Sequence, residues 1–597
     1  HVLRVSGEAA RAARQASEAA KALEAAGLYG WAAEAAFIAH DVALERGEDA
    51  TKGMEQVARV AREHLRSSLE SRAHHSLGRY YRQKGDIPKA LEHLRAAVDA
   101  LEHARTLVSI EAFHVAFLRD KLAVYDDLVA TLLTRGLRSD VSEALEYVER
   151  SKSRLLLERF QQAHNDALRT RGNLDPSLSA RLAQLRAELI EHYQGLHSFD
   201  GPEHLRKRVG VKIGDVQVLR ALEDAYEKAL REAELAAPEV ARRSKPLGQV
   251  PTTEELQAAL AEDETLVEYA CFQGQVAAFV LTRNDLVARL NIASVADVTD
   301  VGRRLRRELD RMESDPEFVA RHRSDLQSSM DRVLSDLYDL LLAPIHGMLK
   351  GERVSIVPHS DLHGLPLHAA KDGGTYALDR WEFTYSPGAS LWYSGVLRER
   401  ERGTIETGQF VRQKALLMAV PGPGIELVYE EVRQLADLFE NPTVLYGEDA
   451  TLQAFRKYAP ESAVIHLATH ALFRADNPLF SGLQFADEWL MAHDLYDNYL
   501  DCYLTTLSAC RTAATHVEAG DELFGLMRGF LAAGARSLTV SLWPAADEAT
   551  MSLMVHFYRN LAAGMSRAGA LRAAQQSIRD GYSHAYHWAA FALVGAR

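Results

Sequence analysis

Ala463-Val464-Ile465-His466-Leu467-Ala468-Thr469-His470, continued at Leu504-Thr505-Thr506-Leu507-Ser508-Ala509-Cys510-Arg511-Thr512, is the stretch that decides how this chain reads. Each part is an apolar run ending in a reactive side chain. A short continuous apolar run suits a strand buried on both faces of a parallel sheet. The first run predicts a strand that delivers His470 to its C-terminal end, the second a strand that delivers Cys510. In open parallel sheets functional groups collect beyond the carboxyl ends of the strands. Two neighbouring strands then hold an imidazole beside a thiol. The imidazole takes the thiol proton or holds the thiolate, and the thiolate attacks a carbonyl carbon.

The spacing resembles the caspase signature Gln-Ala-Cys-[Arg/Gln/Gly]-Gly, in which a histidine lies roughly 50 residues upstream. Ser508-Ala509-Cys510-Arg511-Thr512 has that shape, and His470 lies at a similar upstream distance.

The chain has 597 residues, which predicts two to four folding units. Apolar residues make up 47% and charged residues 25%, an ordinary composition for a water-soluble protein. No run reaches the length of a membrane span, so no membrane association is expected. The formal net charge of −14 gives no general electrostatic case for nucleic acid. The three cysteines, Cys271, Cys502 and Cys510, are scattered and form no disulfide framework, which suits a reducing, cytoplasmic setting. The chain begins with His1 rather than Met. The expectation is a trimmed or processed start with no signal segment remaining.

Residues 1–160 read as helix throughout, rich in Ala, Leu, Glu and Arg, with no proline before Pro88. Ala32, Ala33, Ala35, Ala36 and Ala39 predict a small-residue face for close helix packing. Leu77-Gly78, Tyr81, Gly85-Asp86, Ala90, Leu94 and Ala97 fall at the offsets of a tetratricopeptide repeat, without a clean period of about 34 residues along the block. Such arrays present a concave binding surface; the plainer reading is a scaffold that props up the second half. Residues 161–245 read as a helical hairpin or linker, with helices near 178–196 and 214–236, bounded by Pro238 and Pro246. From 250 the pattern changes to alternating strands and helices, an α/β unit. Strands are expected at 265–269, 276–281, 286–292, 353–357, 414–420, 443–445 and 537–543. One long helix is expected over 298–349, and a loop over 471–500. Trp588–Val594 is expected to close the sheet.

Several further motifs accompany the two key runs. They are Glu149-Arg150-Ser151-Lys152-Ser153-Arg154, Val357-Pro358 through Leu365-Pro366, Asn477-Pro478-Leu479, Gly520-Asp521-Glu522-Leu523, Gly534-Ala535-Arg536-Ser537 and Ser541-Leu542-Trp543-Pro544. In this order they resemble the CHAT-domain proteins, caspase-like cysteine peptidases commonly fused to tetratricopeptide repeats and related to separase, clostripain and gingipain. The resemblance implies an α plus α/β fold: a tetratricopeptide-like α-helical solenoid, then a caspase-like domain with a mostly parallel sheet flanked by helices. It implies a non-catalytic caspase-like half at 246–400, which offers no matching Cys–His pair, and a catalytic half at 401–597. Two positions depart from the family. Arg511 stands where Glu is usual and favours thiolate by its charge. Ala471 stands where Gly is frequent.

The resemblance makes Cys510 the nucleophile and His470 its base, with the backbone amides of Ala471 and Cys510 as oxyanion donors. The bland reading of Cys510 is a small buried hydrophobe. His466 reads as a satisfied core histidine. Asp521 and Asp547 each precede an apolar helix and read as N-caps. By analogy with separase and gingipain, Asp547, with Trp543 as a wall, or Asp521 is the alternative acid of an S1 pocket for a basic side chain. His359, His363 and His368 have no metal-ligand spacing and no cysteine nearby in sequence, so no metal is expected. No phosphate-binding or dinucleotide fingerprint occurs, so no cofactor is expected.

The expected function is a cysteine endopeptidase that cleaves a protein substrate. A regulatory protein on the repeats would control it, in a setting such as bacterial defence or cell death. The competing readings are an inert caspase-like scaffold and a transferase using the same acyl-enzyme.

Overall fold

Ala, Leu, Glu and Arg lose little side-chain freedom in a helix, and the first of the chain's two units, His1–Leu155, is built from helices. A computed structural model describes residues 9–106, 122–167 and 250–596, except 404, 406–407, 423–426, 473–480, 496–499, 509–521 and 545. Between 168 and 249 it describes scattered positions, all helical, so the expected arm at 178–196 and 214–236 lies largely outside the described residues. In order the helices are α1 Ala9–Ala25, α2 Tyr29–Glu45, α3 Thr51–Glu63, α4 Ser67–Gln83, α5 Ile87–Thr106, α6 Leu122–Arg135 and α7 Arg138–Ala167.

The hairpin of α4 and α5 carries the repeat signature. Gly85 makes the turn at φ +79°, a conformation that favours glycine, and Asp86 N–H closes it on the Tyr81 carbonyl at 3.0 Å. Ala90, Leu94 and Ala97 are fully buried. A Cβ on Gly78 would meet Leu94 Cγ at 2.6 Å and the Ala90 carbonyl at 3.3 Å. The missing side chain therefore sets how closely α4 crosses α5. The Ser71 hydroxyl donates to the Ala97 carbonyl at 2.7 Å across the same crossing.

The second unit, Leu156–Arg597, is organised by an 11-stranded sheet flanked by helices. Its strands are β1 Glu264–Phe272, β2 Gln275–Leu281, β3 Leu286–Ser294, β4 Arg353–Val357, β5 Glu382–Tyr385, β6 Ala415–Ala419, β7 Thr443–Tyr446, β8 Val464–Ala468, β9 Leu504–Ser508, β10 Ser537–Ser541 and β11 Phe591–Gly595. The spatial order is β3-β2-β1-β4-β5-β11-β10-β9-β8-β6-β7. Strands β6 to β10 are mutually parallel, and so are β1, β4, β5 and β11. The two blocks meet at the antiparallel pair β10/β11 and therefore run in opposite directions. The last apolar run lies between β5 and β10, in the interior of the sheet.

Three local expectations need correction. The helix expected over 298–349 is broken. Val295–Met312, Pro316–Arg321 and Arg323–Leu341 are separate helices, and a 3-10 turn runs over Ala343–Met348. Pro316 cannot continue a helix but suits the start of one, where the Asp315 carboxylate accepts from Glu317 N–H at 3.1 Å. The loop expected at 471–500 contains a small antiparallel sheet, Ala471–Leu472, Gly482–Gln484 and Trp489–Met491, and a short helix, Ala492–Leu495. Runs of two or three residues are too short to show a period in sequence. Asp547 is the first residue of its helix, Asp547–Ala562, whose cap position is Ala546.

His368 ties the segment after β4 to β11. It is buried, with Nδ1 2.9 Å from the Tyr385 hydroxyl and Nε2 3.0 Å from the Ala589 carbonyl. Burial pushes its pKa down to about 4.

Two predictions follow from packing and burial. Gly78→Ala gains about 1 kcal/mol of helix propensity but overfills the α4/α5 crossing by about 1–3 kcal/mol. The expected net result is faster amide hydrogen exchange in α4 and α5. His368 is neutral in the folded protein down to about pH 4, whereas the unfolded chain binds its proton near pH 6.5. Stability carried by this site is complete above pH 6.5 and falls as pH drops toward 4, by about 3 kcal/mol in total. Urea midpoints measured across that window should fall less steeply in His368→Gln.

Candidate active site

Strands β8 and β9 are neighbours, parallel and buried at every position. Their register pairs Val464 with Leu504 and Ala468 with Ser508, an offset of 40 residues (504 minus 464). His470 stands two residues beyond the end of β8. Cys510 and Asp521 lie outside the described residues; Cys510 is two positions beyond the end of β9 in sequence, and its offset from His470 is also 40.

The segment around His470 is held from both sides. On one side Thr469 N–H donates to the Ser508 carbonyl at 3.3 Å. On the other, Gln484 N–H donates to the His470 carbonyl at 2.9 Å, and the Thr469 hydroxyl to the Gln484 carbonyl at 2.5 Å. Pair types alternate along an antiparallel ladder. With Gln484 bonded to His470, the next pair, Ala471 with Leu483, is of the non-hydrogen-bonded type. The Ala471 N–H therefore points away from the strand that carries Leu483.

A third neighbour approaches from β6. Val420 N–H donates to the Ala468 carbonyl at 2.9 Å, which extends the β6/β8 pairing past the strand ends. The chain then brings Gly422 against the Nε2–Cδ2 edge of His470, and Nε2 is buried.

Beneath His470 lies a buried polar network. His466 is completely buried, with Nε2 2.8 Å from Glu431 Oε1 and Nδ1 3.2 Å from the Tyr558 hydroxyl. Tyr558 donates in turn to Thr506 Oγ1 at 3.0 Å. Glu431 belongs to helix Val428–Ala436, Tyr558 to Asp547–Ala562 and Thr506 to β9. One imidazole thus joins β8 to two helices and, through Tyr558, to the neighbouring strand. Sequence reasoning placed His466 in the core but missed its partners. The available signal was Glu431 itself, a carboxylate on the apolar stripe of Val428, Val432 and Leu435.

The residues named for an S1 pocket have other visible contacts. The Asp547 carboxylate accepts from Leu427 N–H at 2.8 Å. Trp543 is buried, and its indole N–H donates to the Tyr586 carbonyl at 3.0 Å.

The other half of the sheet holds a contact that the sequence did not reveal. Cys271 and His359 meet where β1 and β4 end, so a Cys–His pair does exist in the first half. Its bonding is of another kind: Cys271 backbone N–H donates to His359 Nδ1 at 2.8 Å, and the Cys271 sulfur lies 3.8 Å from the His359 carbonyl oxygen. A main-chain donor thus engages one nitrogen of this imidazole. With both His368 nitrogens bonded elsewhere, the three histidines 359, 363 and 368 do not converge on one ion. Among the described residues no group of three His, Cys, Asp or Glu is arranged to hold a metal, and no helix is long and apolar enough to cross a membrane. Cys502 is buried, and its thiol pKa is pushed up to about 11 by burial, which suppresses thiolate chemistry there.

Residues 331–596 match the CHAT domain family. Tetratricopeptide repeat protein 28 of Homo sapiens is 35% identical over 44% of this chain and 13% of its own length. The Mus musculus protein of the same name is 37% identical over 18% of this chain and 4% of its own length. The chain thus spans a small fraction of these relatives. Two structures of the Saccharomyces cerevisiae separase–securin complex align with TM-scores of 0.43 and 0.44 at 11% and 9% identity. They cover 96% and 95% of this chain, and 50% and 54% of theirs. The Arg-specific cysteine proteinase gingipain R aligns with a TM-score of 0.31 at 10% identity, over 45% of this chain and 67% of its own.

Glu431→Ala leaves a fully buried imidazole without its acceptor. The expected loss is about 3 kcal/mol, against about 1 kcal/mol for Glu431→Gln, which keeps the shape and a hydrogen bond. Urea midpoints of the two variants check the difference.

Proposed function

For a chain whose residues 331–596 match the CHAT domain family and follow a block of helical repeats, we propose the function of a cysteine endopeptidase with Cys510 as nucleophile and His470 as base. The observation that carries this reading is the β8/β9 register, whose offset of 40 residues equals the separation of the two reactive side chains. The Nε2–Cδ2 edge of His470 rests on Gly422, so Nδ1, on the opposite edge, is the nitrogen assigned to the thiol proton.

The chemistry then runs in two stages. The Cys510 proton passes to His470 Nδ1, and the sulfur forms a bond to the carbonyl carbon of the scissile peptide. The Ala471 N–H, turned away from its partner strand, and the Cys510 N–H receive the charge that develops on oxygen. The C–N bond breaks as His470 returns the proton to the amine. Water, activated by the same imidazole, releases the acyl group. Arg511 favours the thiolate by its charge.

Asp547 or Asp521, with Trp543 nearby, is the proposed acidic element for a basic residue before the cut. A protein bound to the helical repeats is the proposed regulator. A reducing cytoplasm suits the free thiol. Defence or cell death as the setting rests on the resemblance of the motifs. The second reading is an inert scaffold. It is favoured by relatives named for their repeats rather than for a reaction, and by Arg511 and Ala471.

Mapping of new protein N-termini in a cell lysate, with the intact protein beside Cys510→Ala, tests the proposal. Cuts that need the thiol are expected, each after Lys or Arg if an acidic pocket selects them. An absence of cuts, together with a Cys510 alkylation profile centred on the ordinary thiol pKa of about 8.5, would favour the scaffold.

A further inference from the structure

Gly422 has no conformational need to be glycine. Its φ is outside the positive range that L-residues avoid. It does not sit inside a helix or strand, and it is only partly buried. The three atoms nearest to a Cβ built on it all belong to the imidazole of His470. A Cβ at position 422 would stand 2.2 Å from Nε2 and 2.5 Å from Cδ2, where ordinary contact begins at 3.4 Å. Two residues earlier, the β6/β8 pairing continues to Val420 N–H on the Ala468 carbonyl, which resists a shift of the backbone away from the ring.

From this we infer that Gly422 is a positioning residue for His470: its bare α-carbon is the wall that fixes how far the imidazole can swing toward β6. The inference rests on the reading of His470 as the partner of the thiol. A methyl group at 422 leaves two options, a shift of backbone pinned by strand pairing or a retreat of the ring by about 1 Å (3.4 minus 2.2). The ring sits at the end of a rotatable side chain, so the ring moves. Displacement of a catalytic group by about 1 Å costs on the order of 100-fold in rate. Stability should change little, since no core side chain takes part.

The test is a cycle of Gly422→Ala, His470→Ala and the double variant. The readouts are the rate of Cys510 alkylation by iodoacetamide against pH, the thermal midpoint and the titration of the His470 imidazole by NMR with labelled histidine. Gly422→Ala should retain the thermal midpoint, slow alkylation at pH 7 by about 10- to 100-fold and shift the His470 titration. In the His470→Ala background it should change alkylation by less than about twofold, because no ring remains to be displaced. If Gly422→Ala alone unfolds and the double variant folds, the collision with the ring is established by rescue. An unchanged His470 titration in Gly422→Ala overturns the inference, as does an equal slowing with and without the imidazole. If wild-type Cys510 alkylates as an ordinary thiol, the endopeptidase reading fails, and the His470 titration still decides the role of Gly422.

Discussion

Pairing of Val464–Ala468 with Leu504–Ser508 is the constraint on which the rest of the second unit depends. Both strands are buried along their whole length, so each backbone group must be satisfied within the ladder. A parallel ladder admits register changes only at the cost of moving a whole row of side chains. The register is reinforced on both flanks, by β6 beside β8 and by β10 beside β9. A segment leaving the end of such a strand starts from a fixed point, and the short sheet at Ala471–Leu472, Gly482–Gln484 and Trp489–Met491 continues that fixation past His470. His470 is therefore preceded by a buried strand and followed by a ribbon that continues it.

The His466 network serves the same end from below. A buried imidazole is costly unless both nitrogens are satisfied. Glu431 and Tyr558 meet that demand from two different helices. Each helix can then sit at only one height along β8. The helix with Glu431 begins at Val428, just after Leu427, whose N–H rests on the Asp547 carboxylate. Asp547 in turn starts the helix that carries Tyr558. Two helices and one strand are thereby locked by three polar contacts. None of them needs to touch a substrate.

The two opposed blocks of strands each carry a histidine two residues beyond a strand, His359 after β4 and His470 after β8. At the first, His359 Nδ1 accepts from the backbone N–H of Cys271, near the end of β1. At the second, the main chain of His470 and the hydroxyl of Thr469 join the small sheet that follows, both through Gln484.

By itself the sequence determined the elements whose signal is local. The apolar runs at 464–468 and 504–508, the Gly85 turn and the small residues facing each other at Gly78, Ala90 and Ala97 are each written within a few dozen residues, because strand burial, turn conformation and helix crossing are short-range demands. Only the tertiary structure decided that Phe591–Gly595 lies between β5 and β10, that Glu431 and Tyr558 meet at His466, that Cys271 reaches His359, and that Gly422 borders the His470 ring. Those contacts join residues dozens to hundreds of positions apart. Their distances follow from the strand order of the sheet, which no window of sequence contains, since sheet order is set by packing of the whole chain and not by the preference of any segment.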